Sequence, residues 1–401
     1  MNPRVGTRRS LAALLVAEVV STTGSEMTAV ALPWFVLVST GSPARMGIVM
    51  AAEFTGMAVL GIPSGRAATA LGPRRTMLGS DLARALLVGL IPALHWAGVL
   101  SFPILLAVGF AVGAFFPAYS SSQLLVLVGL VGDDEVRLTR VGGLLGAVNE
   151  TASFVGPAAG GLLVALIGPA QVLVVDAASY MVAFALVTAF VPPIPRPARE
   201  ESEPRGALEG LRFLARDRTL LRQVIGVAIV EIGFTAMVAT LPVAARRRYG
   251  ASAHLAGWFL ASYGGGSVVG GLISTRARSA GARAPALAIA GLAATTWALL
   301  APLPAWGVAA AVAANGVCAG LFFPRFFSAL AVRTPPAVRA RVAASANTAI
   351  SATGPLGFVG AGLLLQHATS GAPGFALVAA AATLGAAVVA SAPRARVPVT
   401  G

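Results

Sequence analysis

The sequence contains no lysine, a single cysteine and few charged residues of either sign. Charged side chains make up 11% of its 401 residues, against about a quarter in ordinary soluble domains. Because Cys318 is the only cysteine, an internal disulfide and a metal site built on several cysteines are both excluded. No nucleotide-binding glycine loop, nucleophile elbow or zinc-protease helix motif occurs, so the sequence predicts neither an enzyme nor a bound cofactor or metal.

Long apolar runs take the place of the missing charge. Hydrophobic residues make up 57% of the chain and its mean hydropathy is +0.82, more apolar surface than a soluble core can cover. Because one membrane span takes about 20 residues, the chain predicts an all-α integral membrane protein with twelve transmembrane helices. The predicted spans are 11–38, 46–66, 76–95, 101–128, 141–166, 171–191, 222–244, 254–275, 284–302, 306–329, 341–366 and 373–391.

The net charge of +14 comes from arginines, which fall mainly in the connectors between apolar runs. Arginine-rich connectors alternate with connectors that contain none, as expected when the positive segments remain in the cytoplasm. This pattern favours a multi-pass protein of the cell (inner) membrane with both termini in the cytoplasm, and it argues against nucleic acid as a partner. One loop contradicts the rule, because Arg246, Arg247 and Arg248 fall on the predicted outer side. Either the seventh span is misread or this loop is outweighed by the others, and we favour the second interpretation.

The longest connector, 192–221, separates an N-terminal half, 1–191, from a C-terminal half, 222–401, each with six predicted spans. Its second part spaces Leu208, Leu211 and Leu214 as in an amphipathic helix on a membrane surface.

The two halves repeat each other. Gly47, Ala51, Gly56 and Gly61 recur as Gly257, Ala261, Gly266 and Gly271, a constant offset of 257 − 47 = 210. Chance matches between small residues are common in apolar sequence, but further matches follow in the same order. Parallel six-span repeats place a binding site near the membrane midplane, between the halves.

Acidic residues inside the spans are the strongest functional signal. A carboxylate in hydrocarbon is costly, so it normally faces a bundle interior or a water-filled cavity. Burial favours the protonated form and wetting the ionised form, so such a group can carry a proton or bind a cationic substrate. The alternative is a protonated carboxyl group that only hydrogen-bonds a neighbouring helix. The candidates for proton coupling or substrate binding are Glu26, Glu231, Glu150 and Glu53, with Glu18 a weaker one.

Further polar residues in the spans are candidates for lining a cavity. The alternatives are helix packing for the serines and snorkelling of the arginine to the cytoplasmic face. These candidates are Thr22, Ser120, Gln123, Tyr263 and Arg325.

Four segments carry a resemblance to a known family. The segment from Gly65 to Arg75 after span two, with Gly65, Arg66, Gly72, Arg74 and Arg75, is similar to the loop G-x-L-A-D-R-x-G-R-R of the major facilitator superfamily. The stretch Gly156-Pro157-Ala158-Ala159-Gly160-Gly161 in span five resembles the superfamily's antiporter motif. Segments 209–214 and 176–180 are similar to segments of its macrolide-efflux and enterobactin-exporter-like permeases.

The resemblance implies the major facilitator fold, in which spans one, four, seven and ten line the cavity. It also implies a gating loop with a tight turn at its glycines. Thr69 replaces the acid of that loop, and Asp81 and Arg84 in span three are candidates to supply part of its charge network. The implied function is proton-coupled efflux of a hydrophobic or amphipathic small molecule. The partners would be that substrate, protons and the lipid bilayer, and we expect the chain to act as a monomer. A proton-coupled importer and a non-transporting scaffold or sensor are the alternatives.

Overall fold

The computed structural model describes residues 3–132, 135–195, 205–250, 253–276, 284–335 and 338–391. Within these ranges all regular secondary structure is helical, and the helices are α1 (Pro3–Thr40), α2 (Pro43–Leu71), α3 (Pro73–Trp96), α4 (Phe102–Val131), α5 (Glu135–Ile167), α6 (Pro169–Phe190), α7 (Arg205–Arg216), α8 (Arg218–Tyr249), α9 (Ala253–Arg276), α10 (Ala284–Ala298), α11 (Ala305–Arg333), α12 (Arg339–Ser351), α13 (Gly354–Gln366) and α14 (Ala372–Ala390).

Nine helical stretches among the described residues are long and apolar enough to cross a membrane. They correspond to α2 to α6, α8, α11, α14 and the combined α12 and α13. α1, α9 and α10 pack beside them in one bundle and occupy the places of the predicted spans one, eight and nine. We call the end that carries α7 the linker face and the end that carries the turn between α1 and α2 the distal face.

The turn between spans two and three is shorter than predicted. α2 continues as far as Leu71, so the expected turn at Gly65 is wrong, and Gly65 and Arg66 are both helical. The chain turns at Gly72, whose φ of 91° favours glycine, and Pro73 then begins α3. The tight turn of this motif therefore depends on Gly72.

Span eleven is not the continuous helix that the sequence predicts. α12 ends at Ser351, and α13 begins at Gly354, with Pro355 in its first turn. Proline lacks the N–H group that would continue the helix and restricts the residue before it. The Thr353 hydroxyl donates a hydrogen bond of 2.8 Å to the carbonyl oxygen of Ala228. This bond attaches the interrupted segment to α8.

The repeated glycines make equivalent contacts in the two halves. A Cβ atom on Gly56 of α2 would collide with the carbonyl oxygen of Phe110 on α4, and one on Gly266 of α9 would collide with that of Ala313 on α11. Small residues at such crossings allow two helix backbones to approach closely. The sequence repeat therefore corresponds to repeated packing of helix pairs.

The halves meet along two helix pairs, α5 with α9 and α2 with α13. Close contacts of the first pair run through Gly161 and Gly257, and those of the second through Gly47 and Gly362. Towards the linker face, Gly143 and Gly146 of α5 and Gly271 of α9 have open space where a Cβ atom would lie, and every residue of α5 from 142 to 151 is at least partly exposed. The halves are thus packed together distally and separated by a cleft that opens on the linker face.

The connector helix α7 packs on α12. Leu214 of α7 is buried in the core of the C-terminal half, where the sequence analysis expected contact with the membrane surface. Asp217 follows α7 and caps α8, accepting hydrogen bonds from the backbone N–H groups of Thr219 and Leu220 at 2.9 and 3.1 Å. Its other oxygen lies 3.3 Å from a guanidinium nitrogen of Arg333 on α11.

Partial burial raises the pKa of the Asp217 carboxyl, but its two backbone hydrogen bonds and the charge of Arg333 outweigh burial, so the pKa lies below its usual value. A carboxylate with a lowered pKa stabilises the fold above its unfolded pKa of about 3.9, and this contribution is lost as the pH falls through the lower folded pKa.

We therefore predict that Asp217→Ala lowers the free energy of unfolding by about 0.5–2 kcal/mol at neutral pH, the usual effect of losing a cap. Asp217→Asn keeps a capping oxygen and should lose less. Unfolding in detergent, monitored by circular dichroism, should show the difference from wild type shrinking as the pH falls towards about 3. Equal stability of all three proteins at neutral pH would contradict the capping role.

A second prediction concerns the contact between α5 and α9. Gly257→Val should impair both folding and transport, because its Cβ atom would collide with the carbonyl oxygen of Pro157 and the backbone of Gly161. Gly79→Ala on α3 is the matched control, because a Cβ atom there meets open space. Thermal stability and flux should be close to wild type in the control; a Gly257→Val protein that also matched wild type would show that the helices can separate freely.

Candidate functional site

α5 lies between the two halves because its small residues form two faces. Cβ atoms on Gly156 and Gly160 would collide with Glu26 and Met27 of α1, whereas Gly161 contacts Gly257 of α9. Pro157 lies within an uninterrupted helix and packs on α9 through its carbonyl oxygen. The predicted antiporter motif therefore holds α1, with Glu26, against the helix that joins the two halves.

Three of the predicted acids and one tyrosine gather around the cleft. Glu26 on α1 interacts electrostatically with Glu150 on α5, and Tyr263 on α9 interacts with both Glu150 and Glu231 on α8. The ring of Tyr263 packs on Phe234, with 5.0 Å between ring centroids. The site thus combines carboxyl groups from both halves with an aromatic wall.

The carboxyl groups at the cleft lack fixed protein partners. Glu26 and Glu231 are half-buried and Glu150 is exposed. Among the described residues, no hydrogen bond or ion pair involves their side-chain oxygens, and none of these oxygens is sealed away unpaired. Buried carboxyl groups of structural importance are normally hydrogen-bonded within the protein, so these are available to water, protons or a ligand.

Glu53 occupies a different place from the other predicted acids. Its backbone packs against α4 so closely that a Cβ atom on Gly113 would collide with it. Its charge interacts with that of Asp176 on α6, which lies inside the N-terminal half. Glu53 is therefore not grouped with Glu26, Glu150 and Glu231, and its proposed role in coupling stays a prediction.

Glu18 has the fixed partners that the cleft acids lack. Its carboxylate accepts hydrogen bonds from the hydroxyl of Thr22 at 3.0 Å, the hydroxyl of Tyr119 at 2.7 Å and the side-chain amide of Gln123. Glu18 itself is 5% exposed. Two predicted cavity-lining residues, Thr22 and Gln123, thus converge on the acid that the sequence analysis ranked lowest.

Behind Glu18 lies a buried ion pair on α3. A guanidinium nitrogen of Arg84 lies 2.9 Å from a carboxylate oxygen of Asp81, and both side chains are almost fully buried. The guanidinium is sandwiched between the rings of Tyr119 and Tyr180, at 4.4 Å from each centroid, an arrangement that adds cation–π attraction.

The network continues to α6. Thr28 donates to Asp176 at 2.6 Å, and the hydroxyls of Ser25 and Tyr180 lie 2.7 Å apart. These contacts join four helices of the N-terminal half, α1, α3, α4 and α6, through polar groups in its interior. In the part of the chain that the structure describes, one oxygen of Asp81 and the Nε atom of Arg84 have no hydrogen-bond partner.

The remaining predicted site residues are more dispersed. Arg74 donates to the carbonyl oxygens of Val191 and Thr188 at the end of α6, at 2.7 and 2.8 Å, while Arg75 is exposed. Arg325 donates to the carbonyl oxygen of Leu321 in its own helix, and Ser120 is exposed on α4. The side chain of Arg66 lies outside the described residues, so its gating role stays a prediction.

The most connected residues of the network were not predicted from the sequence. Tyr119 was not singled out, and Asp176 and Tyr180 were noted only as part of a resemblance. Asp176 and Tyr180 are four residues apart and therefore share one helix face, which is a signal that could have found them. No group of three or more His, Cys, Asp or Glu side chains suited to a metal ion occurs in the part of the chain that the structure describes.

A sequence model of the protein family described as Major Facilitator Superfamily matches residues 14–358 of this chain. The chain belongs to this superfamily. Among its relatives is the multidrug efflux pump Tap of Mycolicibacterium fortuitum, 29% identical over 377 residues, with 90% of each chain covered. The pump Tap of Mycobacterium tuberculosis H37Rv is 26% identical over 369 residues, and the matched region covers 88% of this chain and 87% of the pump.

Solved structures of similar fold include the nucleoside transporter NupG, with a TM-score of 0.80 at 12% identity and coverage of 96% of this chain and 100% of that one. A D-xylose–proton symporter has a TM-score of 0.73 at 13% identity and coverage of 96% and 98%. At such low identity they support the fold alone. The all-helical major facilitator fold of a multi-pass membrane protein is thereby confirmed, and the predicted count of twelve spans is consistent with it.

The buried pair on α3 yields a prediction. Arg84→Met should destabilise the protein by about 3–5 kcal/mol, because it leaves Asp81 charged and unpaired in the interior. The double variant Arg84→Met/Asp81→Leu removes both charges and should recover most of that loss. Unfolding of the three proteins in detergent measures the difference, and a single variant as stable as wild type would mean that the pair contributes nothing to the fold.

Proposed function

We propose that this chain is a secondary transporter that exports a hydrophobic or amphipathic small molecule from the cell in exchange for protons. The observation that carries the proposal is the pair Glu26 and Glu231. These carboxyl groups come from opposite halves, are half-buried at one cleft, and have no protein donor among the described residues. The relatives' name, multidrug efflux pump, supports export as the direction and drug-like compounds as the substrate class.

The proposed mechanism follows from alternating access to the cleft. A carboxyl group surrounded by apolar side chains holds its proton, and water entering the cleft favours its release. When the cleft opens to the cytoplasm, a substrate entering beside Tyr263 and Phe234 displaces the proton from Glu26 or Glu231. When the opposite end opens, protons from outside compete the substrate away. Acids on both halves let proton binding bias which end is closed.

The proposed orientation has the linker face and both termini in the cytoplasm. Its support is the distribution of arginines, which occur in almost every connector on the linker face, including Arg74, Arg75 and the run through 205–222. With the linker face inside, the cleft of this structure opens towards the cytoplasm, where an exporter collects its substrate. We further propose that a monomer is the functional unit and that the protein is not an enzyme.

The test needs a substrate, which resistance of cells expressing the chain to a panel of diverse compounds would supply. The purified protein is then reconstituted in proteoliposomes, and flux of that compound is measured under an imposed pH gradient. We predict that Glu26→Gln lowers proton-driven flux at least about tenfold while leaving thermal stability intact. Glu231→Gln should act in the same direction.

Asp217→Asn is the matched control, because it removes one negative charge on the linker face, away from the cleft. It should transport at a rate near that of wild type. Unchanged proton-driven flux in Glu26→Gln would remove that residue from the mechanism. Flux in the opposite direction would show that the protein is an importer. If expression gives resistance to none of the compounds and none of them is transported, a scaffold or sensor would be favoured.

A further inference from the structure

The arginine triplet at the end of α8 is an exception that the transport mechanism leaves unexplained. Arg246, Arg247 and Arg248 lie at the distal face, where the positive-inside rule disfavours them. The six short connectors on this face contain no aspartate or glutamate in the sequence. The three charges therefore concentrate where the chain provides no opposite charge.

Each arginine instead donates to main-chain carbonyl oxygens at or just beyond the end of a helix. Arg246 bonds Leu37 of α1 at 2.9 Å, Arg247 bonds Leu365 and Ala368 at the end of α13, and Arg248 bonds Ala301 beyond α10 at 3.0 Å. Carbonyl groups at helix ends attract cations through the helix dipole, but they do not neutralise a full charge. Among the described residues, no carboxylate lies within ion-pair distance of Arg246 or Arg247.

A cavity lies between two of these arginines and α1. It has a volume of about 190 Å³ and is lined by Leu37, Gly41, Val243, Arg246 and Arg247. Sites for drug-sized ligands begin at about 300 Å³, so this cavity suits a smaller group than the transported compound. Gly41 is exposed and has no neighbour within 4 Å of a Cβ atom, which leaves the cavity open to the outside.

The guanidinium groups retain donors for a ligand. Each carries five N–H donors, and one nitrogen of each is engaged in the bonds to carbonyl oxygens. Neither Arg246 nor Arg247 has a buried nitrogen without a partner, so the remaining donors reach the cavity or solvent. Two guanidinium groups that line one cavity can together bind the oxygens of a phosphate group.

We infer that this distal cavity binds a phosphate-like oxyanion between Arg246 and Arg247. The ligand is either a free inorganic anion or the phosphate of an anionic lipid headgroup. The cavity lies between α1 of one half and α8 of the other, and the hydrogen bond from Arg246 to Leu37 joins these two helices beside it. A ligand that binds only the closed arrangement stabilises it, so the anion would favour contact between the halves at the distal face.

The test is the response of the full-length protein to inorganic phosphate, measured as thermal stability and by titration calorimetry at constant ionic strength, with chloride as reference. We expect saturable stabilisation of wild type. Arg246→Gln/Arg247→Gln should bind phosphate at least about tenfold more weakly. The matched control is Arg45→Gln, an exposed arginine of the same face that lies over the ring of Phe102 instead of the cavity; it should respond like wild type.

A second pair of variants covers the case in which loss of both arginines impairs folding. Gly41 has a φ of 64°, a conformation that aspartate and asparagine tolerate. Gly41→Asp would place a carboxylate at the cavity, raising stability without phosphate and abolishing the phosphate response. Gly41→Asn has the same shape without the charge and should keep the response.

Measurements in detergent and in lipid nanodiscs distinguish a free anion from a lipid headgroup. A response in neutral detergent identifies a free anion, whereas stabilisation only in nanodiscs containing phosphatidylglycerol, relative to phosphatidylcholine alone, identifies a lipid headgroup. Both outcomes support the site. Lack of any response in either setting, or equal responses of wild type, Gly41→Asp and the double arginine variant, would overturn it. Neither readout requires transport, so failure here is separate from failure of the proposed function.

Discussion

The arrangement of the two halves depends on the close approach of two helices, α1 and α9, to the backbone of α5. Gly156 and Gly160 admit α1 on one side, and Gly161 admits α9 on the other. Any Cβ atom at these positions would force the helices apart, and the position of Glu26 would change with them. In a membrane the apolar effect does not drive helices together, so such contacts between small residues are a main source of association. The geometry of the candidate site is therefore a consequence of glycine packing.

The N-terminal half has a second, polar source of cohesion. Arg84 is held by Asp81 and by two tyrosine rings, and the tyrosine hydroxyls reach Glu18 and Ser25. Because each polar group in a low-dielectric interior strongly favours keeping its partner, the helices that share this network are expected to move as one unit. Among the described residues the cleft acids Glu26 and Glu231 have no such partners, which distinguishes groups available for exchange from groups committed to structure.

Much of the fold followed from the sequence, because apolar length and arginine placement have direct physical causes in a membrane. The helix order, the repeat and the role of Gly72 were all readable from local pattern. The break in span eleven could not be predicted in this way. Pro157 and Pro355 lie in similar motifs, but the helix continues through Pro157 and is interrupted before Pro355, and only packing decides between these outcomes. The candidate acids were chosen from their expected depth in the membrane, which does not tell which face of a helix a side chain occupies. Glu18 and Glu53 were therefore grouped with Glu26, although neighbouring helices give them other surroundings.

Because the helix is interrupted at Ala352 and Thr353, the two parts of span eleven contact different elements of the structure. α13 belongs to the contact with α2 and thus to the junction of the halves, whereas α12 is attached to α7 and the connector. A displacement of the connector would reach α12 first and would be absorbed at the joint before it disturbed the junction. The break before Pro355 would in this way uncouple the connector helix α7 from the junction of the two halves.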